Sequence, residues 1–340
     1  MSRPVLKGIL DAIGNTPLVE LGNIAPEFGF RVFAKMEKFN PGGSIKDRSA
    51  LGMLLERIRD GRLVPGRSVV VESSSGNLAI GTAQICRYFG IEFICVVDAK
   101  TTRQNLALLG AYGARVEVVR TPHPESGEYL DARLDRVREL VATVPGAYWP
   151  NQYGNPLNPR AHRETMREIA EALDGRVDYL FSPVSTFGTL RGCAEYIAQH
   201  SLDTTVVAVD AVGSAIFGQP PARRLIPGHG ASLAPALLDP ACADEVVHVD
   251  DLECVVACRQ LVRTEGILAG GSSGAAAAAL WKIAERIPDG SNCVLVFPDG
   301  GDRYVDTIYS DDWVGEHFGE VSHLWKSTPA GVPSALAAAI

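Results

Sequence analysis

The feature that most constrains the fold is an alternation of short β-rich runs with longer helical stretches. "SVVVES" is followed by "LAIGTAQICRYFG", "EFICVVD" by "TRQNLALLGAYG", and "DYLFSPV" by "GTLRGCAEYIAQH". This order is typical of parallel strands covered by helices. It occurs in two blocks, which a loop-rich junction, "AYWPNQYGNPLNPRAH", separates. The sequence therefore predicts an α/β protein with two sheet-containing domains.

Composition excludes several functional classes. The chain has 340 residues, of which 46% are hydrophobic and 21% charged, as expected for a globular protein large enough for two domains. A net charge of -8 argues against nucleic-acid binding, because phosphate recognition needs clustered basic surface. No run reaches the roughly 20 apolar residues of a membrane span, and the N-terminus lacks the apolar core of a signal peptide. We expect a cytoplasmic protein.

The seven cysteines are scattered, mostly within apolar stretches such as "FICVV" and "NCVLVF". Cys254 and Cys258 are close, at i and i+4 of a predicted helix, but no further ligand lies near enough in sequence to complete a zinc site. We expect buried, small hydrophobic side chains, with no metal and no disulfide.

Lys46 is the first candidate for chemistry, within "FNPGGSIKDRSA" at residues 39–50. In a nucleotide-binding loop the lysine directly follows glycine and precedes Ser or Thr, so the spacing here excludes that motif. A lysine in a partly desolvated cleft has a lowered pKa, and its neutral amine can form a Schiff base with a carbonyl cofactor. The alternative is a solvated lysine at the start of a helix.

Three turns between a strand and a helix are rich in Ser, Thr and Gly. They are "ESSSGNLA" (72–79), "SPVSTFGTLRG" (182–192) and "LAGGSSGAAAAA" (268–279). In open α/β sheets, ligands bind beyond the carboxyl ends of the strands, where helix N-termini favour anions. These turns suit a substrate carboxylate and a cofactor phosphate, whereas helix capping by Ser, Thr and Asn is the alternative explanation.

Together these segments resemble the cysteine synthase group of fold-type II pyridoxal 5'-phosphate enzymes. The similar stretches are collinear: "IGNTPLVEL", "NPGGSIKDR", "SSGNLAIG", "NQYGNPLNP", "STFGTLRG" and "EGILAGGSSGAA". The resemblance implies a two-domain fold like that of the tryptophan synthase β subunit, pyridoxal 5'-phosphate as cofactor, small amino-acid substrates and a homodimer. It also implies β-replacement chemistry, with Lys46 as the catalytic Schiff-base lysine.

The resemblance assigns the remaining site residues. A loop and a nearby glutamine would hold the substrate carboxylate: Ser74, Ser75, Gly76, Asn77 and Gln152. Asn77 would also reach the ring hydroxyl of the cofactor. The turn that would cradle the cofactor phosphate comprises Ser185, Thr186, Phe187, Gly188 and Thr189, because hydroxyls and backbone donors at a helix N-terminus suit a dianion. Gly300 matches the family's serine beside the pyridine nitrogen, so that either a water or Asp299 would take this role.

Three departures from cysteine synthases bear on the substrate: Leu78, Tyr153 and Ser185. With these residues the chain resembles the synthases that join O-phospho-L-serine to L-glutamate and so supply 2,3-diaminopropionate for siderophores and antibiotics. Such substrates carry additional anionic groups, which Arg133 or Arg160 would bind in addition to Tyr153 and Ser185. A cysteine synthase, or an enzyme like cystathionine β-synthase, is the alternative.

The resemblance also predicts the domain boundaries. Residues 1–40 with 151–325 would form the larger, cofactor-binding domain. Residues 41–150 would form a smaller, mobile domain that carries the substrate loop, and residues 326–340 a C-terminal tail.

Overall fold

The computed structural model describes residues 5–220 and 222–326. Its strands are β1 Leu18–Glu20, β2 Arg31–Met36, β3 Val69–Ser73, β4 Glu92–Asp98, β5 Arg115–Val119, β6 Ala147–Tyr148, β7 Tyr179–Pro183, β8 Thr205–Ala211, β9 Glu245–Val249 and β10 Asn292–Phe297. Its α-helices are α1 Lys46–Arg59, α2 Asn77–Phe89, α3 Arg103–Ala111, α4 Tyr129–Thr143, α5 Leu157–Ala172, α6 Gly188–Gln199, α7 Asp251–Glu265, α8 Gly271–Ile283, α9 Asp311–Phe318 and α10 His323–Lys326.

The strands form two sheets. One has six strands in the order β1-β2-β10-β7-β8-β9, and the other has four in the order β5-β4-β3-β6. Strand β1 is antiparallel to β2, and the other neighbouring strands of the described residues run parallel. The predicted α/β fold with mostly parallel sheets is therefore confirmed. The division into domains at residues 41 and 150 stays a prediction.

The central strands are buried along their whole length. All residues of β3 and all of β10 are buried, as expected for parallel strands that have helices on both faces. Alanines dominate the covering helix α8, and Ala275 through Ala279 are all buried, so that this helix approaches the large sheet closely. Six of the seven cysteines are buried, and Cys242 is half-buried.

Helix α1 lies where the two sheets meet. It packs against α2, which contacts β3 and β4 of the four-stranded sheet. It also packs against α5, which contacts α6, a helix that lies on β7 and β8 of the six-stranded sheet. The first residue of α1 is Lys46, so the candidate catalytic lysine starts the helix that joins the two halves.

Within residues 5–220 and 222–326, no helix is long and apolar enough to cross a membrane. The same residues contain no group of three or more His, Cys, Asp or Glu side chains that could hold a metal ion. The predicted tail at 326–340 lies outside the described residues, except for Lys326 at the end of α10.

Candidate active site

Lys46 lies beside the carboxyl end of β10. Ser44 pairs with Asp299 in an isolated antiparallel bridge, and the N–H of Ile45 donates to the carbonyl of Pro298 at 2.8 Å. Burial lowers the pKa of Lys46, while the charges of Asp299 and Glu37 act to raise it. The net decrease increases the fraction of neutral, nucleophilic amine at a given pH.

The turn between β7 and α6 opens onto the same pocket as Lys46. The residues lining this pocket are Ile45, Lys46, Pro183, Ser185, Thr186, Phe187, Gly188, Thr189, Leu190, Gly228, Val296 and Pro298. The N–H groups in the first turn of α6 have no helical partners, and the positive end of the helix dipole lies there. The structure therefore brings the predicted phosphate turn and the predicted catalytic lysine together.

Phe187 stands where the cysteine synthases that the sequence resembles have glycine, and its burial explains how an aromatic residue is accommodated there. Its φ of 68° lies in the left-handed region, where cysteine synthases have glycine and where an aromatic residue is strained. The ring is 1% exposed and contacts Phe217 edge to face, with 6.0 Å between the ring centroids. Burial of the ring contributes about 3–5 kcal/mol, which outweighs a backbone strain of about 1–3 kcal/mol.

The predicted carboxylate loop connects β3 to α2. The Ser74 hydroxyl accepts a hydrogen bond from the N–H of Ala79 at 3.3 Å, and Asn77 is the first residue of α2. Gln152 Nε2 donates to the carbonyl of Ser73 at 3.1 Å, at the base of the loop. The loop therefore presents a helix N-terminus with an amide side chain beside it, which suits a carboxylate.

Arg133 joins this loop from α4. Its Nη1 donates to the Ser75 hydroxyl at 3.0 Å, and its Nε lies 3.4 Å from a carboxylate oxygen of Asp98. Arg160, the other arginine considered from sequence, is exposed and pairs with Glu56 at 3.1 Å. Arg160 therefore does not join the site.

Residues after β10 form a network that includes Arg303 and Tyr304, which sequence reasoning missed. Asn77 Nδ2 and the Tyr304 hydroxyl each donate to Oδ2 of Asp299 at 2.7 Å. Arg303 donates to Oδ1 of Asn77 and, at 2.6 Å, to the carbonyl of Gly42. The available signal was their position, because polar residues just beyond the carboxyl end of a central parallel strand lie where ligands bind.

Asp299 directs its carboxylate into this network, and Gly300 has no side chain that could join it. A Cβ at Gly300 would lie 2.8 Å from Oδ2 of Asp302 and 3.5 Å from Lys38, and Gly300 does not line the pocket of Lys46. Oδ1 of Asp299 is buried and has no hydrogen-bond partner in the described part of the chain. Burial raises the pKa of Asp299, against the hydrogen bonds from Tyr304 and Asn77.

These observations fit pyridoxal 5'-phosphate. The pocket combines a primary amine of lowered pKa with a helix N-terminus for a phosphate, and an unpaired, buried carboxylate oxygen lies next to the predicted ring contact Asn77. The fold and the site define a fold-type II pyridoxal-phosphate enzyme of the β-replacement class, as the sequence predicted. The pattern of the family described as "Pyridoxal-phosphate dependent enzyme" matches residues 9–299, and the chain belongs to this family.

Known proteins with similar sequences and structures agree with this class. The N-(2-amino-2-carboxyethyl)-L-glutamate synthase of Ralstonia nicotianae is 45% identical over 311 residues, which cover 91% of each chain. An O-ureido-L-serine synthase structure is 32% identical with a TM-score of 0.83, covering 98% of this chain and 100% of that one. A cysteine synthase from Entamoeba histolytica is 31% identical with a TM-score of 0.83, covering 97% and 95% of the two chains.

Proposed function

We propose that this enzyme joins O-phospho-L-serine to L-glutamate and releases N-(2-amino-2-carboxyethyl)-L-glutamate and phosphate. The observation that carries this proposal is the 45% identity, over 91% of both chains, to a synthase named for that product. The structures of cysteine synthase and related enzymes are similar at lower identities of 30–32%. The product would supply 2,3-diaminopropionate for a siderophore or antibiotic, and the enzyme would act in the cytoplasm as a homodimer.

The residues that would hold the cofactor come from four segments. The turn from Ser185 to Thr189 would bind its phosphate, Asn77 and Asp299 would contact its ring, and Lys46 would bind it covalently. When bound, pyridoxal 5'-phosphate withdraws electrons from Cα of the amino-acid substrate, so that the Cα proton and the group on Cβ can leave.

The protein's own groups supply the proton transfer and the orientation. The Lys46 amine, with its lowered pKa, is the base that removes the Cα proton. The Ser74 to Asn77 loop orients the substrate through its carboxylate. Oδ1 of Asp299 is an acceptor available to keep a proton on the ring nitrogen, because no other group bonds to it in the described chain.

The choice of O-phospho-L-serine as the donor rests on the charge of its leaving group, a phosphate. A phosphate carries nearly two negative charges at neutral pH and needs several donors to offset its desolvation. Tyr153 and Ser185 supply hydroxyls where cysteine synthases have phenylalanine and glycine. Arg133 adds a guanidinium that already bonds to the Ser75 hydroxyl.

Product analysis with defined substrates tests this proposal. Purified holoenzyme is incubated with O-phospho-L-serine or O-acetyl-L-serine as donor, combined with L-glutamate, sulfide or homocysteine as acceptor, and each product is identified by mass. We expect the glutamate adduct from O-phospho-L-serine, with stoichiometric release of phosphate. Cysteine as the main product from O-acetyl-L-serine and sulfide would instead identify a cysteine synthase.

A further inference from the structure

Arg224 is a half-buried cation that forms no ion pair within the part of the chain that the structure describes. Its Nη1 donates to the carbonyl of His229 at 3.2 Å, and its Nη2 donates to the Ser232 hydroxyl at 3.1 Å. Its Nε is buried and makes no hydrogen bond to any residue that the structure describes. Within the same residues, it forms no ion pair at 4.0 Å or less. A partly desolvated guanidinium with an unused donor is costly, and an anionic ligand would offset this cost.

Three acidic groups act on the charge of Arg224 without forming an ion pair with it in the described residues: Asp210, Asp251 and Glu128. Oδ2 of the buried Asp210 also has no hydrogen-bond partner among these residues. Asp251 accepts the N–H groups of Leu225 and Ile226 at 2.8 and 3.2 Å, so it holds the backbone of the segment. The charges of Asp210, Asp251 and Glu128 raise the pKa of Arg224 against the larger, lowering effect of burial. Arginine remains protonated in proteins in any case, so the positive charge is present at neutral pH.

The segment that carries Arg224 forms one side of the active site. Gly228 lines the pocket of Lys46. The N–H of Gly230 donates at 2.8 Å to the carbonyl of Val184, the residue before Ser185. Arg224 bonds to the residue next to Gly230, and it is therefore anchored directly beside the predicted phosphate turn.

The Tyr153 hydroxyl is influenced electrostatically by both Arg224 and Arg133. The carbonyl of Tyr153 accepts the N–H of Leu237 at 3.1 Å, so this residue packs beside the same segment. Burial raises the pKa of the Tyr153 hydroxyl, while the charges of Arg133 and Arg224 both act to lower it. The charges of two guanidinium groups, one from each half of the molecule, therefore act on one hydroxyl that the sequence predicts to bind substrate, against the opposing charge of Glu72.

We propose that Arg224 binds the side-chain carboxylate of the acceptor amino acid. This inference rests on the proposed function, because it assigns a residue to L-glutamate. The donor's carboxylate would occupy the Ser74 to Asn77 loop, so an acceptor with two more carboxylates needs a cation elsewhere in the cleft. A guanidinium suits this task, because its forked donors can bind both oxygens of a carboxylate. Sulfide as acceptor would need no such group.

Replacing Arg224 tests the assignment through acceptor specificity. The holoenzyme and its Arg224→Gln and Arg224→Lys variants are assayed with O-phospho-L-serine as donor and with L-glutamate or L-glutamine as acceptor. Loss of a hydrogen-bonded charge should raise the KM for L-glutamate roughly ten- to a hundredfold. The KM for L-glutamine and that for the donor should stay within about threefold, and Arg224→Lys should recover part of the preference for L-glutamate.

Arg223→Gln is the matched control, because this exposed neighbour carries the same charge without the buried contacts. A melting temperature for each variant separates misfolding from loss of binding. The inference is overturned if the two acceptors are affected equally in Arg224→Gln, or if the donor's KM rises instead. If the wild-type protein forms no adduct with L-glutamate, the proposed function itself is wrong. This result differs from failure of the Arg224 assignment, in which the wild type forms the adduct and Arg224→Gln affects both acceptors equally.

Discussion

At the scale of single residues, the site depends on a few polar groups that are buried at an energetic cost. Three such groups are partly or wholly removed from water: the Lys46 amine, the Asp299 carboxylate and the Arg224 guanidinium. Burial lowers the pKa of Lys46 and of Arg224 and raises that of Asp299, which in each case favours the neutral form. Such groups are retained where they act on a ligand or a reacting atom, since apolar residues would stabilise the fold more.

The covalent role of Lys46 can be tested directly. Wild-type protein treated with borohydride should retain pyridoxal 5'-phosphate on a peptide containing Lys46, as measured by mass spectrometry. Lys46→Ala should lose this adduct, although it should still bind the cofactor reversibly through the turn from Ser185 to Thr189. An adduct that persists on another lysine of Lys46→Ala would show that the assignment is wrong.

The preference for a phosphorylated donor should depend on two hydroxyls. The double variant Ser185→Gly, Tyr153→Phe restores the cysteine synthase residues and removes two hydrogen-bond donors. Each lost bond to a charged group costs about 1.5–3 kcal/mol, so kcat/KM for O-phospho-L-serine should fall at least tenfold. O-acetyl-L-serine, assayed in parallel by the absorbance change on adding donor alone, should be affected much less. Equal decreases for both donors would contradict the proposed role.

At the scale of secondary-structure elements, a buried ion cluster fixes α1 against β2 and α5. Arg48 of α1 bonds to Glu37 and to Glu168 of α5 at 2.7 Å, and Lys35 of β2 lies 2.5 Å from the same Glu168. Burial raises the pKa of Glu168, but the hydrogen bonds and charges of Arg48 and Lys35 outweigh it and lower the pKa to about 2. This cluster holds the helix whose first residue is Lys46.

Glu168→Gln should destabilise the protein strongly. The substitution leaves two buried cations with too few anions, which costs about 3–5 kcal/mol in the free energy of unfolding. The lowered pKa of Glu168 stabilises the wild type above about pH 4.5, and this contribution is lost as the pH falls toward 2. Urea denaturation at several pH values should therefore show a difference between wild type and Glu168→Gln that shrinks in acid.

The exposed pair of Arg160 and Glu56 provides the control for this experiment. Glu56 is 43% exposed, so Glu56→Gln should change the free energy of unfolding by less than about 1 kcal/mol. A comparable loss in Glu56→Gln and Glu168→Gln would mean that burial does not decide the effect.

Elements and turns were predictable from sequence because their signals are local. Buried runs such as "NCVLVF" and the small-residue turns need only a few neighbouring residues to be read. The contact of Arg303 with Asn77 and Gly42 joins segments more than 200 residues apart, and no local pattern encodes it. The proposed role of Asp299 in place of the family's serine at Gly300 depends on the backbone geometry after β10, which no local pattern encodes.

At the scale of the whole molecule, the predicted small domain carries the substrate loop. The loop follows β3 of the four-stranded sheet, whereas the phosphate turn follows β7 of the six-stranded sheet. Movement of one sheet against the other would therefore close the site on a bound carboxylate. Closure would exclude water and protect the reactive substrate from hydrolysis.

Hydrogen exchange can detect this closure. Addition of O-phospho-L-serine to the holoenzyme should slow amide exchange in residues 74–77 and in the first turn of α2, as measured by mass spectrometry of peptides. Peptides from the buried strand β10 serve as the control, since their exchange should be slow with or without substrate. Unchanged exchange in the loop would count against the mobile domain.

The position of β10 has a consequence for how the protein is made. This last strand lies between β2 and β7, and Asn292 pairs with Arg31. A ribosome releases the chain from its N-terminus, so β2 and β7 each keep an unpaired edge until β10 has been synthesised. Unpaired edges template aggregation, whereas the small sheet, contiguous from Val69 to Tyr148, can assemble early. The nascent large sheet is therefore open to edge-to-edge association until Asn292–Phe297 inserts between β2 and β7.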